Sequence, residues 1–563
     1  MSTNTELAKI FTAMATILEI KGESGFKVNA TVKVARVLEN LVEDIATVDK
    51  ITDITGVGKS SATKIQEFID TGSISSYEEL RASIPQGLLE VMRVQGLGPK
   101  KVRQLWQEAD VVDIASLRNA IDTGKLDNLP RMGKKTIENI SESLNFIETT
   151  GNRTRIGIAL PIAESIRGTL EQVSGVTNIS IAGSIRRGKE TIGDIDILAS
   201  TFEPELLAKS FCELEDVATV FSHGETKCSV RLSSGMQVDL RVVDDNKFGS
   251  ALLYFTGSKE HCVLLREIAI SQDKKLNEYG LEPRNISETE EAIYADLGLP
   301  YLPPEIREDR GEGECKNTPT LVTTEDIQCD LHCHTLASDG KMTIKELAQE
   351  ALRRGYHTIA VTDHSQSQPQ ANGLKPDRML EHIESIRAVN ESMKDITILA
   401  GSEVDILPDG SLDYDDDLLA MLDIVVASPH ATLTQSTKES TKRLLLAIEH
   451  PLVHIIGHPT GRIINKRKGL EPDMPTLISA AKEHKTALEI NANSYRLDLR
   501  DIHVRATVEA GGMLAINTDA HRAEDFDQLQ YGILTGRRGW LTPKNCINCL
   551  EHDALQTWLV RNC

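Results

Sequence analysis

Gly183-Ser-Ile-Arg-Arg-Gly-Lys-Glu-Thr-Ile-Gly-Asp-Ile-Asp-Ile197 decides how this chain is read. Residues 195–199 form a short apolar run with strand character, and on a strand residues two apart share a face, so Asp194 and Asp196 point the same way. Two carboxylates held this close repel, and burying them costs free energy that a divalent cation relieves. Asp239, in Gln237-Val-Asp-Leu-Arg241 on a later strand over 238–243, can complete the cage. Oxygen donors combined with substrate phosphates suit Mg²⁺. Two such ions can activate an attacking hydroxyl and stabilise a leaving pyrophosphate. Upstream, the Gly183-Ser184 turn and Arg187 would hold a triphosphate tail. Asp-x-Asp alone is common at solvated strand ends. Gly-Ser, Arg, Gly-Asp-x-Asp and a distant Asp in that order is a specific combination.

Gly-Ser-x-Arg-Arg-Gly followed by Gly-Asp-x-Asp resembles the palm of family X DNA polymerases. Tyr254-Phe-Thr-Gly-Ser258 and Leu276-Asn-Glu-Tyr-Gly280 extend the resemblance into a thumb. It implies that Asp194, Asp196 and Asp239 bind two Mg²⁺ (or Mn²⁺), with Asp239 also near the primer 3′-hydroxyl. Gly183, Ser184, Arg187 and Gly193 would hold the triphosphate of a dNTP. Tyr254, Phe255 and Gly257 would lie beside its sugar, where a 2′-hydroxyl would clash. The chain departs from the family at Cys262, where many relatives carry an asparagine near the incoming base.

Working back toward the N-terminus, residues 1–90 read as short amphipathic helices, with Leu7, Ile10, Met14, Ile17 and Leu18 at three- and four-residue steps. Ile51-Thr-Asp-Ile-Thr-Gly-Val-Gly-Lys59 and Val94-Gln-Gly-Leu-Gly-Pro-Lys-Lys101 each read as helix end, glycine turn and new helix; a weaker third version starts at Leu129. Such a turn presents free backbone N–H groups to an anion. Gly56, Gly58, Lys59, Gly96, Gly98 and Lys100 are therefore candidate contacts to a nucleic-acid backbone. The units resemble helix-hairpin-helix motifs. An ordinary glycine-capped connection is the plain alternative. In animal members of the family the first domain carries a Schiff-base lysine, and Lys64 falls at the matching position. Thr31 and Ser60 replace supporting residues while Lys27 is retained, so the lyase question stays open.

Toward the C-terminus the chemistry changes, since 13 of the 15 histidines lie after residue 330. Apolar runs at 359–361, 396–400, 424–427, 454–456, 487–490 and 513–516 alternate with helical segments, the pattern of a (β/α) barrel with its site at the strand C-termini. Asp330-Leu-His-Cys-His-Thr335 opens the series, with His332 and His334 on one face. Asp339, His364, Glu403, His430, His458, Asp519 and His521 follow at or beyond the strand ends. Neutral imidazoles with bridging carboxylates suit Zn²⁺, Mn²⁺ or Fe²⁺. The segment resembles the PHP (polymerase and histidinol phosphatase) domain, a distorted (β/α)7 barrel. The resemblance implies a trinuclear site held by these nine residues, metal-dependent 3′→5′ exonuclease activity and cleavage at abasic sites. Arg462 is a candidate phosphate clamp, and His454 and His503 read as structural. Cys546-x-x-Cys549, with Cys563, lacks a second pair and reads as plain thiols.

The expected fold is thus multidomain. Helix-hairpin-helix domains occupy 1–90 and 91–150, an α+β nucleotidyltransferase palm 151–249, a thumb 250–307, a charged linker 308–327 and the PHP barrel 328–563. A chain of 563 residues has room for about three to five folding units. Its net charge of −22 argues against general coating of a polyanion, yet local cation clusters, backbone N–H groups and bound metals still allow nucleic acid. No apolar run approaches the ~20 residues needed to span a membrane, and no export signal opens the chain, so a reduced cytoplasmic protein is expected. The expected partners are gapped or primer–template DNA and dNTPs, with no membrane, and the expected state is a monomer. Two alternatives remain. One is a phosphoesterase barrel with a non-catalytic DNA-docking first half; the other is a gap-binding protein whose metals are structural.

Overall fold

The computed structural model describes all residues except 1–2, 42–43, 49, 93, 95, 128, 131, 139, 142–143, 145–152, 284–286 and 561–563. Cys563 and part of the third glycine turn lie outside the described residues. The chain divides into two compact units, one of Met1–Gly151 with Asn465–Lys468, the other of Asn152–Ile464 and Gly469–Cys563.

In the first unit the long helix Thr3–Lys21 serves two cores. Leu7 and Phe11 pack with Leu38, Ile65 and Phe68, whereas Ile17 and Ile20 pack with Leu88, Val102, Leu105 and Leu117. Both glycine turns take the expected form. Gly56 and Gly96 have positive φ of 101° and 88°, which only glycine adopts at little cost. Gly58 and Gly98 cap the helices Lys59–Thr71 and Pro99–Ala109.

The second unit holds the palm, the thumb and the barrel. The palm sheet runs in the order Val176–Ile181, Asp194–Thr201, Gln237–Val243, Lys227–Leu232, Val217–Ser222. Its one parallel pairing, Asp194–Thr201 beside Gln237–Val243, puts Asp196 directly opposite Asp239. Along Gln237–Val243 burial alternates, the period-two signature that sends Val238, Leu240 and Val242 into the core and Asp239 to the other face. The thumb comprises the helices Phe248–Thr256, Lys259–Ser271 and Glu290–Asp296 around the hairpin Lys275–Asn277/Gly280–Glu282.

The barrel has seven parallel strands paired in sequence order, from Cys329–Asp330 to Leu514–Asn517. A parallel bridge between Cys333 and Ala520 joins its first and last segments. The first strand ends at Asp330, so His332 and His334 sit on the extended chain just beyond it. Ile464, Leu497 and Tyr531 of the barrel chain complete the palm's hydrophobic core.

The stretch 308–327, expected as a charged linker, is held on both sides. Glu312 is fully buried; it meets His261 Nδ1 at 2.9 Å and accepts the N–H groups of Asp309 and Arg310, both at 2.6 Å. Val322 N–H donates to Leu541 O at 2.9 Å. Its acidic composition reads as solvation, but two of those acids have buried partners. Among the described residues no helix is long and apolar enough to cross a membrane.

Candidate active sites

Around Asp194 and Asp196 the palm opens a cavity of about 830 Å³ that also meets Gly183, Ser184, Arg187, Tyr254, Phe255 and Gly257. Gly183 begins a single helical turn with φ 62°, and a Cβ there would lie 2.1 Å from Asp196 Oδ2. Only glycine lets this backbone approach the carboxylate so closely. Arg187 Nη1 donates to Thr256 O, and its Nε donates to Glu308 Oε1 at 3.1 Å, so this expected triphosphate ligand also ties the palm to the thumb and to the stretch 308–327. Gly193 lies beside Arg153, whose Nη2 donates to Thr191 O at 2.6 Å. Tyr254, 42% exposed, stands edge-on to Phe255 with ring centroids 5.2 Å apart. Cys262 is buried, and its thiol lies 3.7 Å from Tyr254 O. Asp239 accepts from Gln237 Nε2 at 3.0 Å and faces Lys227 Nζ at 3.9 Å.

Burial, then the charges of Asp194 and Asp239, push Asp196 up to about 7. Because the value is raised above the ordinary carboxylate range, the apo fold favours the protonated form; that contribution is present below pH ~4 and lost as pH rises through about 7. A divalent ion reverses the preference and must expel the proton. Calorimetric Mg²⁺ titrations in buffers of different ionisation enthalpy should show release of about one proton at pH 6, vanishing by about pH 8. Asp196→Asn should abolish the release; a proton count independent of pH would contradict this origin.

At the barrel mouth all nine expected ligand residues converge. Three groups have ligand atoms within 4.8 Å of one another: His334, Asp339, His364 and His521; His332, His334 and Asp519; and His364, Glu403 and His430. His458 Nε2 joins them, 2.9 Å from Glu403 Oε1. Glu403 is buried with both oxygens lacking a hydrogen-bond donor, and its carboxylate faces His332, His334, His364, His430 and His458 within 3.7 Å. His332 Nε2, both His334 ring nitrogens and Asp519 Oδ1 are likewise buried without a hydrogen-bond partner. Such orphaned atoms are costly unless a cation occupies the space between them, so the donor set fits divalent metals. Burial, with the charges of His521 and His364, pushes His334 down to about 4, which keeps it in the neutral form a metal needs. Burial alone would raise Glu403, yet His430, His332 and His364 hold it well below the usual carboxylate range.

A supporting layer, absent from the sequence reading, fixes these ligands. Glu489 accepts from His332 Nδ1 at 2.7 Å and from His458 N–H at 2.7 Å. Asp405 meets His430 Nδ1 at 3.1 Å. Asp363 accepts from Thr335 and Ser338 and meets His382 Nε2 at 2.8 Å, shaping the loop that carries Asp339. Glu489 left a signal: a charged residue amid the apolar run 487–490 is conspicuous unless it is paired. Glu489→Gln frees His332 to adopt either tautomer, and such changes typically cost 10–100-fold in metal affinity. The chelator concentration that strips half of the metal in dialysis should fall by about that factor; an unchanged midpoint would make Glu489 structural only.

Other expected residues take plainer places. Arg462, expected as a phosphate clamp, is buried with its Nη2 2.6 Å from Glu190 Oε2 and also bound to Leu497 O, so it braces the palm against the barrel. His454 accepts from Val425 N–H at 3.1 Å, with its Nε2 3.1 Å from Leu559 O. Lys64 Nζ donates to Ser60 Oγ at 3.0 Å. In the first unit Lys59 and Lys100 stand in the first turns of their capped helices. Cys546 is buried in the barrel core, and among the described residues no metal-type cluster includes a cysteine.

The chain is similar in sequence to known families and proteins. Residues 2–74 match the helix-hairpin-helix domain family and 88–145 the SAM-like helix-hairpin-helix tandem. Residues 251–308 match the DNA polymerase beta thumb and 330–504 the PHP domain. The DNA polymerase/3′-5′ exonuclease PolX of Bacillus subtilis (strain 168) is 39% identical over 99% of both chains. A protein named "Probable phosphatase" from Thermoanaerobacter sp. (strain X514) is 29% identical, covering 39% of this chain and 89% of its own. A namesake from Caldanaerobacter subterraneus subsp. tengcongensis is 31% identical over 36% and 80%.

Proposed function

This chain belongs to the family X DNA polymerases that carry a PHP domain, and on that premise we propose that it fills short gaps in DNA during base-excision-type repair and trims 3′ ends at the barrel. The observation that carries the reading is the coexistence of two donor clusters, the carboxylates Asp194 and Asp196 beside Asp239 in the palm and the histidine-rich nine-residue cluster of the barrel. The glycine turns at Gly56 and Gly96, with Lys59 and Lys100, grip the duplex backbone without reading its sequence. Ser184, Arg187 and the Gly183 turn hold the triphosphate, and Tyr254 and Phe255 pack against the sugar of the incoming dNTP. Asp239 receives the primer end opposite Asp196.

Asp194, Asp196 and Asp239 would hold two Mg²⁺ or Mn²⁺, and the nine barrel residues three divalent ions (Zn²⁺, Mn²⁺ or Fe²⁺), which when bound would supply Lewis acidity for phosphoryl transfer and for phosphodiester hydrolysis. In the palm the chain's own work is alignment: Gly183 brings the backbone against Asp196, and the Arg187–Thr256 hydrogen bond sets the thumb. In the barrel Glu489 and Asp405 orient His332 and His430. The working unit in this reading is a monomer, placed in the cytoplasm with its DNA.

The deciding experiment uses a one-nucleotide gapped duplex with a labelled primer and Mn²⁺, with and without dNTPs. Extension with dNTPs and shortening without them is expected. Extension alone removes the nuclease assignment, and shortening alone makes the palm a DNA holder.

A further inference from the structure

The palm cavity is not built by the palm alone. Its wall includes Arg500, Asp501, Ile502, Thr535 and Arg538, all from the barrel chain. Eight of its lining residues are cationic and four acidic, in a chain whose net charge is −22. Two of the four acids are Asp194 and Asp196, which bound divalent ions would neutralise. The remaining field favours a multiply charged anion, and clefts of this size focus such a field.

The barrel's two arginines in this wall differ in kind. Arg538 is 4% exposed and saturated: it donates to Glu308 Oε1 at 2.9 Å, to Arg187 O at 2.7 Å and to Asp501 Oδ2 at 2.8 Å. It fixes the wall and the main chain of Arg187. Arg500 is 45% exposed and approaches Glu190 Oε1 only loosely, at 3.8 Å. The other oxygen of that carboxylate is taken by Arg462 at 2.6 Å, so Glu190 does not depend on Arg500. Arg500 also sits where its backbone is set firmly. It precedes the helix Asp501–Ala510, and its neighbour Leu499 N–H donates to Glu489 O at 2.9 Å.

We propose that the barrel supplies a polyphosphate-binding wall to the palm cavity, in which Arg500 contacts the terminal phosphates of the incoming nucleoside triphosphate and the pyrophosphate that leaves. Guanidinium forks match phosphate geometry, and the planar group is less tightly hydrated than an ammonium. Nucleotidyl transfer forms the 3′-O–Pα bond and breaks Pα–O–Pβ, the 3′-hydroxyl proton passing to solvent, so the β- and γ-phosphates leave together as pyrophosphate along this wall. The inference rests on the polymerase reading of the palm.

The test uses the full chain on the gapped primer, comparing wild type, Arg500→Ala and Arg500→Lys. A charge-assisted contact of this kind, half-exposed, should raise the KM for dNTP and the inhibition constant of pyrophosphate by about ten-fold in Arg500→Ala. Arg500→Lys should recover part of both, with kcat little changed and the primer-shortening rate unchanged. Unaltered KM and pyrophosphate inhibition in Arg500→Ala, with shortening intact, would overturn the proposal. If Arg500→Ala lowers both activities, Arg500→Gln, which keeps the stem and a donor, decides: a raised KM with shortening preserved supports the wall, and an unchanged KM overturns it. Failure of the wild-type protein to extend any primer would instead remove the polymerase reading, a distinct outcome.

Discussion

Asp194→Asn should lower nucleotide addition at a gapped primer by about a thousand-fold, equivalent to about 4 kcal/mol of transition-state stabilisation, while primer shortening continues at the wild-type rate. The amide is nearly isosteric, so the loss reports charge and ligation. Folding should not suffer. Asp194 lies at the exposed start of its strand, and its charge is one of those pushing Asp196 upward. Removing it relieves repulsion in the apo protein, so thermal stability at pH 8 should hold or rise slightly while Mg²⁺ stabilisation disappears. Asp239→Ala should give the same separation of activities. If either change also removed primer shortening in a folded protein, the two centres would not be independent.

The second large effect is expected at Glu403. Its carboxylate faces five histidines and links ligand groups that otherwise share only His334 and His364. Glu403→Gln keeps the volume but leaves one acceptor oxygen and no charge. It should cut primer shortening by about a thousand-fold or more and lower the bound metal measured by elemental analysis, while extension with dNTPs persists. His430→Ala should follow the same pattern less severely. The barrel's apo fold carries its own risk, because a buried imidazole cluster loses its central counter-charge. Circular dichroism and retained extension would distinguish a lost site from a lost domain. Loss of both activities in a folded protein would again contradict two separate centres.

Much of this was legible locally. Asp194 and Asp196 fall on one strand face because strand side chains alternate, and the glycine turns declare themselves because positive φ demands glycine. The nine candidate barrel ligands could be found because most lie at or just past the end of an apolar run, and strand C-termini converge in a parallel barrel. The residues missed are those whose partners are distant in sequence. Glu489 meets His332 across 157 positions, and Asp405 meets His430 across 25. Arg462 was misplaced for the same reason, its partner Glu190 lying 272 residues away.

The sequence by itself therefore determined which side chains are candidates to hold metals and phosphates, on which strand ends and turns, and in which order along the chain. Backbone periodicity and the conformational freedom of glycine are local properties, and they leave local traces. Only the tertiary structure decided how the centres are supported and enclosed. It set the acidic stretch 308–327 against buried partners, completed the palm core with Ile464, Leu497 and Tyr531, and turned a barrel helix start into one wall of the palm cavity. Burial and long-range ion pairing depend on which surfaces meet, and no local pattern records that.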